Sequence, residues 1–562
     1  MKIDKTTLNR TFFGLVLLVV ILGCSDDEFL TEKPKTFFTK NNIFSSGKQV
    51  EQSLITLYAA HRELNYSDSG RNPSGRIMQG QGTDVMVTPK FRFSLNFSDY
   101  STINPLNSRI AAVFNRHYQM ISYANTTLEA ANLEGITFDS EDQRDYILAQ
   151  ARFFRAWAHG SLAELFGSVA IVAETQDEPK FDFVQSSRAE VYQFAIDELK
   201  AILNDLPQTT DQPGRVVRGA ALHYLSEFYL GLGIETSSDV AYQQAVAHAS
   251  EVIDGGIYSL MTDRFGSRAD EPGKDVYWDL FRQDNINYAD GNLESIWTHQ
   301  FDFDAFLAGD EDGFLAQPRY WSPVLRAIEC VTGVAEDVGG RGVAFFSPTP
   351  LTETIIWDTG ISEGDIRGSE TNIRRTFIYN DPNCPNLLGE VVPQEAIDAA
   401  NESLAGAVFP IFEKLTTDRF EGLDQGENRS NLFRDDYIIR LPETILLRAE
   451  AHWRLGDNLS AADDINLIRN RAQCTILANA SDVDLDYILD ERARELFGEE
   501  SRWNTLLRMG GTVAVDRIRS YVQHDWTTNS LNFDFNLFPI PQGAIDRNKD
   551  EIWTQNPGWE NR

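Results

Sequence analysis

Five acidic residues, Asp302, Asp304, Asp310, Glu311 and Asp312, fall within one short stretch of this chain. Their hard carboxylate oxygens are the ligands calcium prefers, but the spacing is not that of an EF-hand loop. The stretch is read as a solvated acidic loop, with a structural calcium ion as the alternative and no cofactor expected. Eight histidines (His61, His117, His159, His223, His248, His299, His452, His524) show no ligand spacing between any two. There is no H-E-x-x-H, no G-x-S-x-G, no phosphate-loop glycine pattern and no C-x-x-C pair. Carboxylate pairs are so common in this acidic chain that none stands out as a glycosidase acid and base. Catalysis has no support in these residues, and the chain is read as a non-enzyme.

Binding chemistry does have support. Sugar rings stack their C–H faces on aromatic planes, and their hydroxyls both donate and accept hydrogen bonds, which suits Asp, Asn, Gln and Arg. "QPRYWSP" presents Arg319, Tyr320 and Trp321 in a proline-bounded loop, and "ESIWTHQFDFD" adds Trp297. A loop nearer the N-terminus, "GTDVMVTPKFRFSLNFSDYSTINP", adds Asp84, Tyr100 and Asn104. These seven residues are the candidate ligand contacts; the competing reading of each aromatic is ordinary packing beneath a long loop.

Helices must position these loops. Apolar residues recur every three or four positions through roughly 105–260 and 437–510, as in Ile147, Ala151, Phe154, Ala158, Leu162 and Leu165. Gly167 is expected to stop that helix, and "SVAIVAE" to follow as a short extended segment. Ser187 and Glu190 fit a capping box, opening a helix expected to run through Leu206 to Pro207. Alanine and small residues mixed with aromatics in short helix pairs suggest tetratricopeptide-like repeats, although no strict 34-residue repeat can be aligned. Between about 262 and 435, and again over about 66–106, Gly, Pro, Asp, Asn and aromatics replace the helical period. Trp278, Trp297, Trp321 and Trp357 make the longer stretch too apolar for disorder. It is read as ordered loop structure packed on the helices, where binding residues are commonly displayed.

The chain has 562 residues and a formal charge of −34. Residues 1–23 carry +2 (Lys2, Lys5 and Arg10 against Asp4), so the remainder carries −36. Such a surface repels phosphate and anionic headgroups, so nucleic acid is excluded as a partner and membrane attachment needs an anchor. The first residues supply one. A basic start, the apolar run Phe12–Leu22 and Gly23 make a signal peptide too short to span a bilayer. Ile21, Leu22, Gly23 and Cys24 resemble a bacterial lipobox, which makes Cys24 the acylated first residue of the mature protein. Of the three other cysteines, Cys330 and Cys384 are the expected pair if a disulfide forms, since both lie in loop-like sequence.

The second helical block is the most specific part of the sequence. Arg440 and Glu443 lead into an Ala-Glu-Ala helix; Ile465–Ala472 reads I-N-x-I-R-x-R-A, Glu491–Leu496 reads E-R-x-R-E-L, and Arg502-Trp503 follows. The chain then closes with Pro-Ile-Pro at 539–541 and Gln-Asn-Pro-Gly-Trp at 555–559. Together with "ARFFRAWAHGSLAELFGSVAIVAE" and "TEKPKTFFTKNNIF" upstream, these motifs resemble the SusD/RagB family of outer-membrane lipoproteins from Bacteroidota, along nearly everything after Cys24. The resemblance implies a mainly α fold, a tetratricopeptide-like superhelix with a large loop-rich region packed against it. It also implies a division into a signal peptide (1–23), an acylated surface tether (24–40) and one SusD-like domain (41–562). The implied role is a cell-surface, lipid-anchored protein of the outer membrane that captures oligosaccharide and delivers it to a SusC-like TonB-dependent transporter. Acids after an acylated cysteine, as in "CSDDE", resemble a surface-export signal. Two rivals stand beside this role: peptide cargo on the same fold, as in the RagB branch, and a helical-repeat scaffold that binds only protein. The motif residues themselves read as structural, with Glu491, Arg492, Arg494 and Glu495 forming a charge ladder on one helix face.

Overall fold

A computed structural model describes residues 43–66, 80–89, 97–176, 178–309, 315, 317–333, 341–358, 360–404, 406–416 and 433–560. The signal segment, Cys24 and the tether lie outside the described residues, as do Asp310, Glu311 and Asp312 of the acidic stretch.

The scaffold is a succession of antiparallel helices: α1 (Gly47–Tyr66), α2 (Ser108–Ala130), α3 (Glu141–Phe166), α4 (Arg188–Ile202), α5 (Arg218–Thr236) and α6 (Asp239–Ile253), then α7 (Leu441–Arg454) and α8 (Asn458–Arg471). Each packs on the next, and α7 continues the stack from α6, so residues 254–440 are a single excursion inserted between two neighbouring helices of the superhelix. The fold is therefore the mainly α, tetratricopeptide-like arrangement with a loop-rich region against it that the sequence implies.

Local chemistry accounts for the helix boundaries. Gly167, at φ 71°, caps α3, and the Ser187–Glu190 capping box opens α4. Two expectations are corrected: α4 ends at Ile202, with 203–206 forming a turn, and "SVAIVAE" contributes only an isolated bridge, Val169 to Ser186. The helices approach closely where glycines meet rings. A Cβ built on Gly160 would lie 2.1 Å from the Phe228 ring, one on Gly231 2.5 Å from Tyr192, and one on Gly233 2.5 Å from Tyr242.

Among the described residues there are three short antiparallel pairs: β1 (Met86–Val87) with β3 (Ser347–Pro348) joins the N-terminal loop to the excursion, while β2 (Ser295–His299) with β6 (Asp436–Arg440) and β4 (Ile373–Arg374) with β5 (Ile411–Phe412) pair segments within it. β6 runs directly into α7, with Pro442 in the first turn, where its missing N–H costs no hydrogen bond. After α8 come α9 (Leu485–Leu496) and α10 (Arg502–Arg508). One large apolar core runs through the helices. A second joins the two loop regions, bringing Val85 and Met86 together with Tyr320, Trp321, Phe346 and Phe497. The expected Cys330–Cys384 disulfide is formed beside a third core around Ile328, Phe377 and Ile411. No described helix is long and apolar enough to cross a membrane.

Candidate functional site

The motif residues of the second helical block form a buried charge lattice. Glu491 and Glu495 on α9 both bind Arg367. Glu495 also binds Arg440 and Arg471, which share Glu294. Glu491 adds Arg469 and Arg494. Burial alone would raise the pKa of Glu491, but Arg367, Arg494 and Arg469 overcome it and hold the carboxyl at about 2. These side chains are sealed from solvent, so the lattice clamps the excursion onto the scaffold and presents no ligand surface.

Most of the predicted ligand contacts serve the same structural purpose. Asp84 is fully buried and is held by Arg502 and Arg517. The Tyr100 hydroxyl donates to the Gly82 carbonyl inside the fold. Trp297 lies in the helical core against His61, Phe153 and Phe154, its indole N–H donating to the Gly214 carbonyl at 2.8 Å. Tyr320 and Trp321 are buried against Phe345, Phe346 and Phe497. The expectation that these residues face a ligand is corrected for all five: each ring or carboxylate is used in packing or pairing. Asn104 is half-buried and closes a turn, accepting from the Leu106 N–H at 2.9 Å. Arg319 is also half-buried. The loops that carry these residues do meet, through β1–β3 and the second core, but the residues named form its floor.

Polar groups gather instead at the end of β2, with Asn287 and Thr298 buried and Asp290, Gln300 and Asp435 reaching toward solvent. Asn287 stands at the centre. Its amide nitrogen donates to Asp290 at 3.1 Å and to Asp435 at 2.7 Å, and its oxygen accepts from Thr298 Oγ1 at 2.8 Å and from Gln300 Nε2 at 2.9 Å. Asp435 also accepts the Phe301 N–H at 2.8 Å, and burial pushes its pKa up to about 6 against these bonds. Around this network opens a cleft of about 420 Å³, lined by Gln283, Asp284, Asp302, Phe303, Asp304 and Phe433 among others. Phe303 is half-exposed and packs on Phe433 with ring centroids 4.9 Å apart. Asp302 caps the short helix Phe303–Leu307 through the Ala305 N–H at 2.9 Å, and Asp304 is exposed. On the far side of Thr298 and Gln300 lies a second cleft of about 290 Å³, bordered by Ile55, Tyr58, Arg62 and Arg215.

Carboxylates and amides that accept and donate, beside an open aromatic face, suit a ligand rich in hydroxyl or amide groups. Among the described residues no group of three or more His, Cys, Asp or Glu is placed to hold a metal ion. The sequence pointed to this place through "ESIWTHQFDFD", but it favoured Trp297 over Gln300 and Phe303. Asn287, Asp290, Phe433 and Asp435 went unnoticed. The asparagines and aspartates of "QDNINYADGN" were the available signal, and their meeting with Asp435 depends on the β2–β6 pairing.

Comparison with known proteins gives this architecture a family. A model described as the SusD family matches residues 412–559, and one described as starch-binding associating with outer membrane matches residues 28–230. A SusD-like protein of Bacteroides ovatus is 22% identical over 542 residues, covering 92% of this chain and 86% of its own. Among solved structures, a SusD homolog from Bacteroides thetaiotaomicron superposes with a TM-score of 0.68 at 19% identity, over 92% of this chain and 98% of that one. Surface glycan-binding protein A from the same organism, in complex with laminarihexaose, superposes with a TM-score of 0.62 at 19% identity, over 91% and 99%. The chain belongs to the SusD/RagB family.

Proposed function

We propose that this protein is a surface-exposed, lipid-anchored glycan-binding protein of the outer membrane that captures oligosaccharides and passes them to a SusC-like TonB-dependent transporter. The observation that carries the reading is the likeness, along 91% of the chain, to a surface glycan-binding protein that holds laminarihexaose. The cleft beside Asp290, Phe303 and Asp304 supports it, because its polar groups and open ring are those a sugar uses. The lipobox at Cys24 supports the anchor, and the charge of −34 leaves lipid as the means of holding the chain at a membrane.

Peptide cargo is the second reading. The burial of Tyr100, Trp297, Tyr320 and Trp321 favours it, since the described parts of the two loop regions expose no platform of aromatic rings there. Calorimetry of the chain from Ser25 onward against a panel of polysaccharides and a panel of peptides separates the two. Binding to a glycan is expected, and binding to peptides alone overturns the primary reading. For the anchor, Cys24→Ala is expected to give an unacylated soluble chain, and a variant still acylated and membrane-bound refutes the lipobox assignment.

A further inference from the structure

Nearly every buried carboxylate among the described residues is bound by a guanidinium, but Glu164 on α3 and Glu227 on α5 make no ion pair. Glu164 is 2% and Glu227 8% exposed. Glu164 Oε2 accepts from Asn504 Nδ2 at 2.8 Å, and its Oε1 is buried without a hydrogen-bond partner. Both line a cavity of about 70 Å³ between α1, α3 and α5, walled by Trp157, Tyr224 and Phe228. That volume admits a few waters, each about 30 Å³ in the liquid, and no sugar ring.

The neighbouring cations are already engaged. Arg508 is held by both oxygens of Glu450 at 2.8 and 3.1 Å. Arg188 donates to the Ala163 and Leu507 carbonyls. Arg492 serves Glu500 and Glu443. Glu443, Glu499 and Glu500 also face the cavity, as do His61, His223 and His299, and burial pushes the pKa of Glu443 up to about 8, so it adds a third carboxyl that holds its proton at neutral pH. Burial drives the pKa of His61 and His223 down, so these two are neutral at pH 7 and supply no counter-charge.

We propose that this cavity is a neutral-acid site, in which Glu164 and Glu227 are carried as carboxylic acids at neutral pH and make the interior of the superhelix sensitive to alkali. Two buried carboxyl groups on one small cavity, with the neighbouring guanidiniums already held by other carboxylates and carbonyls, are costly to ionise without a cation. Burial is the main cause that raises both acids; Glu227 adds to it at Glu164, Glu450 and Glu500 add to it at Glu227, and Arg508 opposes at both. The sign follows: the folded chain keeps protons that the unfolded chain releases above the ordinary glutamate range, so stability falls as pH rises from there into the alkaline range.

The test is infrared spectroscopy of the folded chain between about pH 6 and pH 9.5, for wild type, Glu164→Gln and Glu227→Gln, with thermal midpoints at both ends. The carboxylic-acid carbonyl band of the wild type is expected to shrink with alkali, each variant is expected to lack one component of it, and each is expected to lose fewer degrees of thermal midpoint than wild type over the same range. A wild-type band that does not change between pH 7 and 9.5 overturns the proposal, whether or not the variants fold. So does a thermal midpoint of the wild type that rises when sodium is replaced by ammonium, potassium or calcium at constant ionic strength while the Gln variants do not respond, because a cation would then occupy the site.

Discussion

Asp84 and Arg502 are 418 residues apart in the chain and meet in a two-point ion pair, Arg502 Nε and Nη2 donating to the two carboxylate oxygens at 2.9 and 2.6 Å with neither side chain exposed. Arg517 Nε adds a third bond at 2.9 Å. The N-terminal loop is thereby pinned to the motif that follows α9. Removing one partner of a buried pair leaves the other charged and desolvated, which costs about 3–5 kcal/mol. Asp84→Ala is therefore expected to lower unfolding stability by that order in urea titration. The folded fraction should keep its ligand affinity, and a selective loss of affinity at unchanged stability would return Asp84 to the ligand site.

The lattice around α9 also sets an acid limb. Glu491 and Asp84 both titrate near 2, because adjacent guanidiniums outweigh burial. A carboxyl whose folded pKa lies below its unfolded value stabilises the fold above the unfolded value, and that contribution is lost as pH falls toward the folded one. The thermal midpoint is expected to drop steeply between about pH 4.5 and pH 2, and Glu491→Gln, already destabilised at pH 7, should show a shallower acid limb.

How much of this was legible depended on whether the physics was local. The Ser187–Glu190 box, the Gly167 stop and the helical period are contained within a few residues, and the structure shows them where the sequence placed them. The aromatic loops were also correctly seen as ordered. Whether a given ring faces out or in is decided by chain segments hundreds of residues away: Trp297 is buried because α1 and α3 cover it, and Trp321 because Phe497 does. Asn287 and Asp435 are 148 residues apart, and no local pattern announces their bond.

Gly160 tests the close-packed helix crossing. In an exposed helix, alanine is favoured over glycine by about 1 kcal/mol. Here the added methyl would lie 2.1 Å from the buried ring of Phe228, which would have to shift to make room. Overpacking of this kind costs about 1–3 kcal/mol, so Gly160→Ala is expected to destabilise despite its better helix propensity. A urea midpoint equal to or above wild type would show that α3 and α5 separate easily.

Phe303 tests the cleft. It stands half-exposed at the mouth, braced by Phe433 and set at the start of a short helix capped by Asp302. Its ring belongs to none of the three larger shared cores described above, so Phe303→Ala should leave the thermal midpoint close to wild type. Loss of a stacking face is worth about 0.5–1.5 kcal/mol beyond buried area, so affinity for a bound oligosaccharide is expected to fall roughly tenfold. Asp304→Ala should weaken binding to a similar extent, since it removes an exposed acceptor from the same cleft. Calorimetry on the folded variants reads both. If both bind as tightly as wild type, ligand capture occurs away from the end of β2, and the loops joined by β1 and β3 become the place to look.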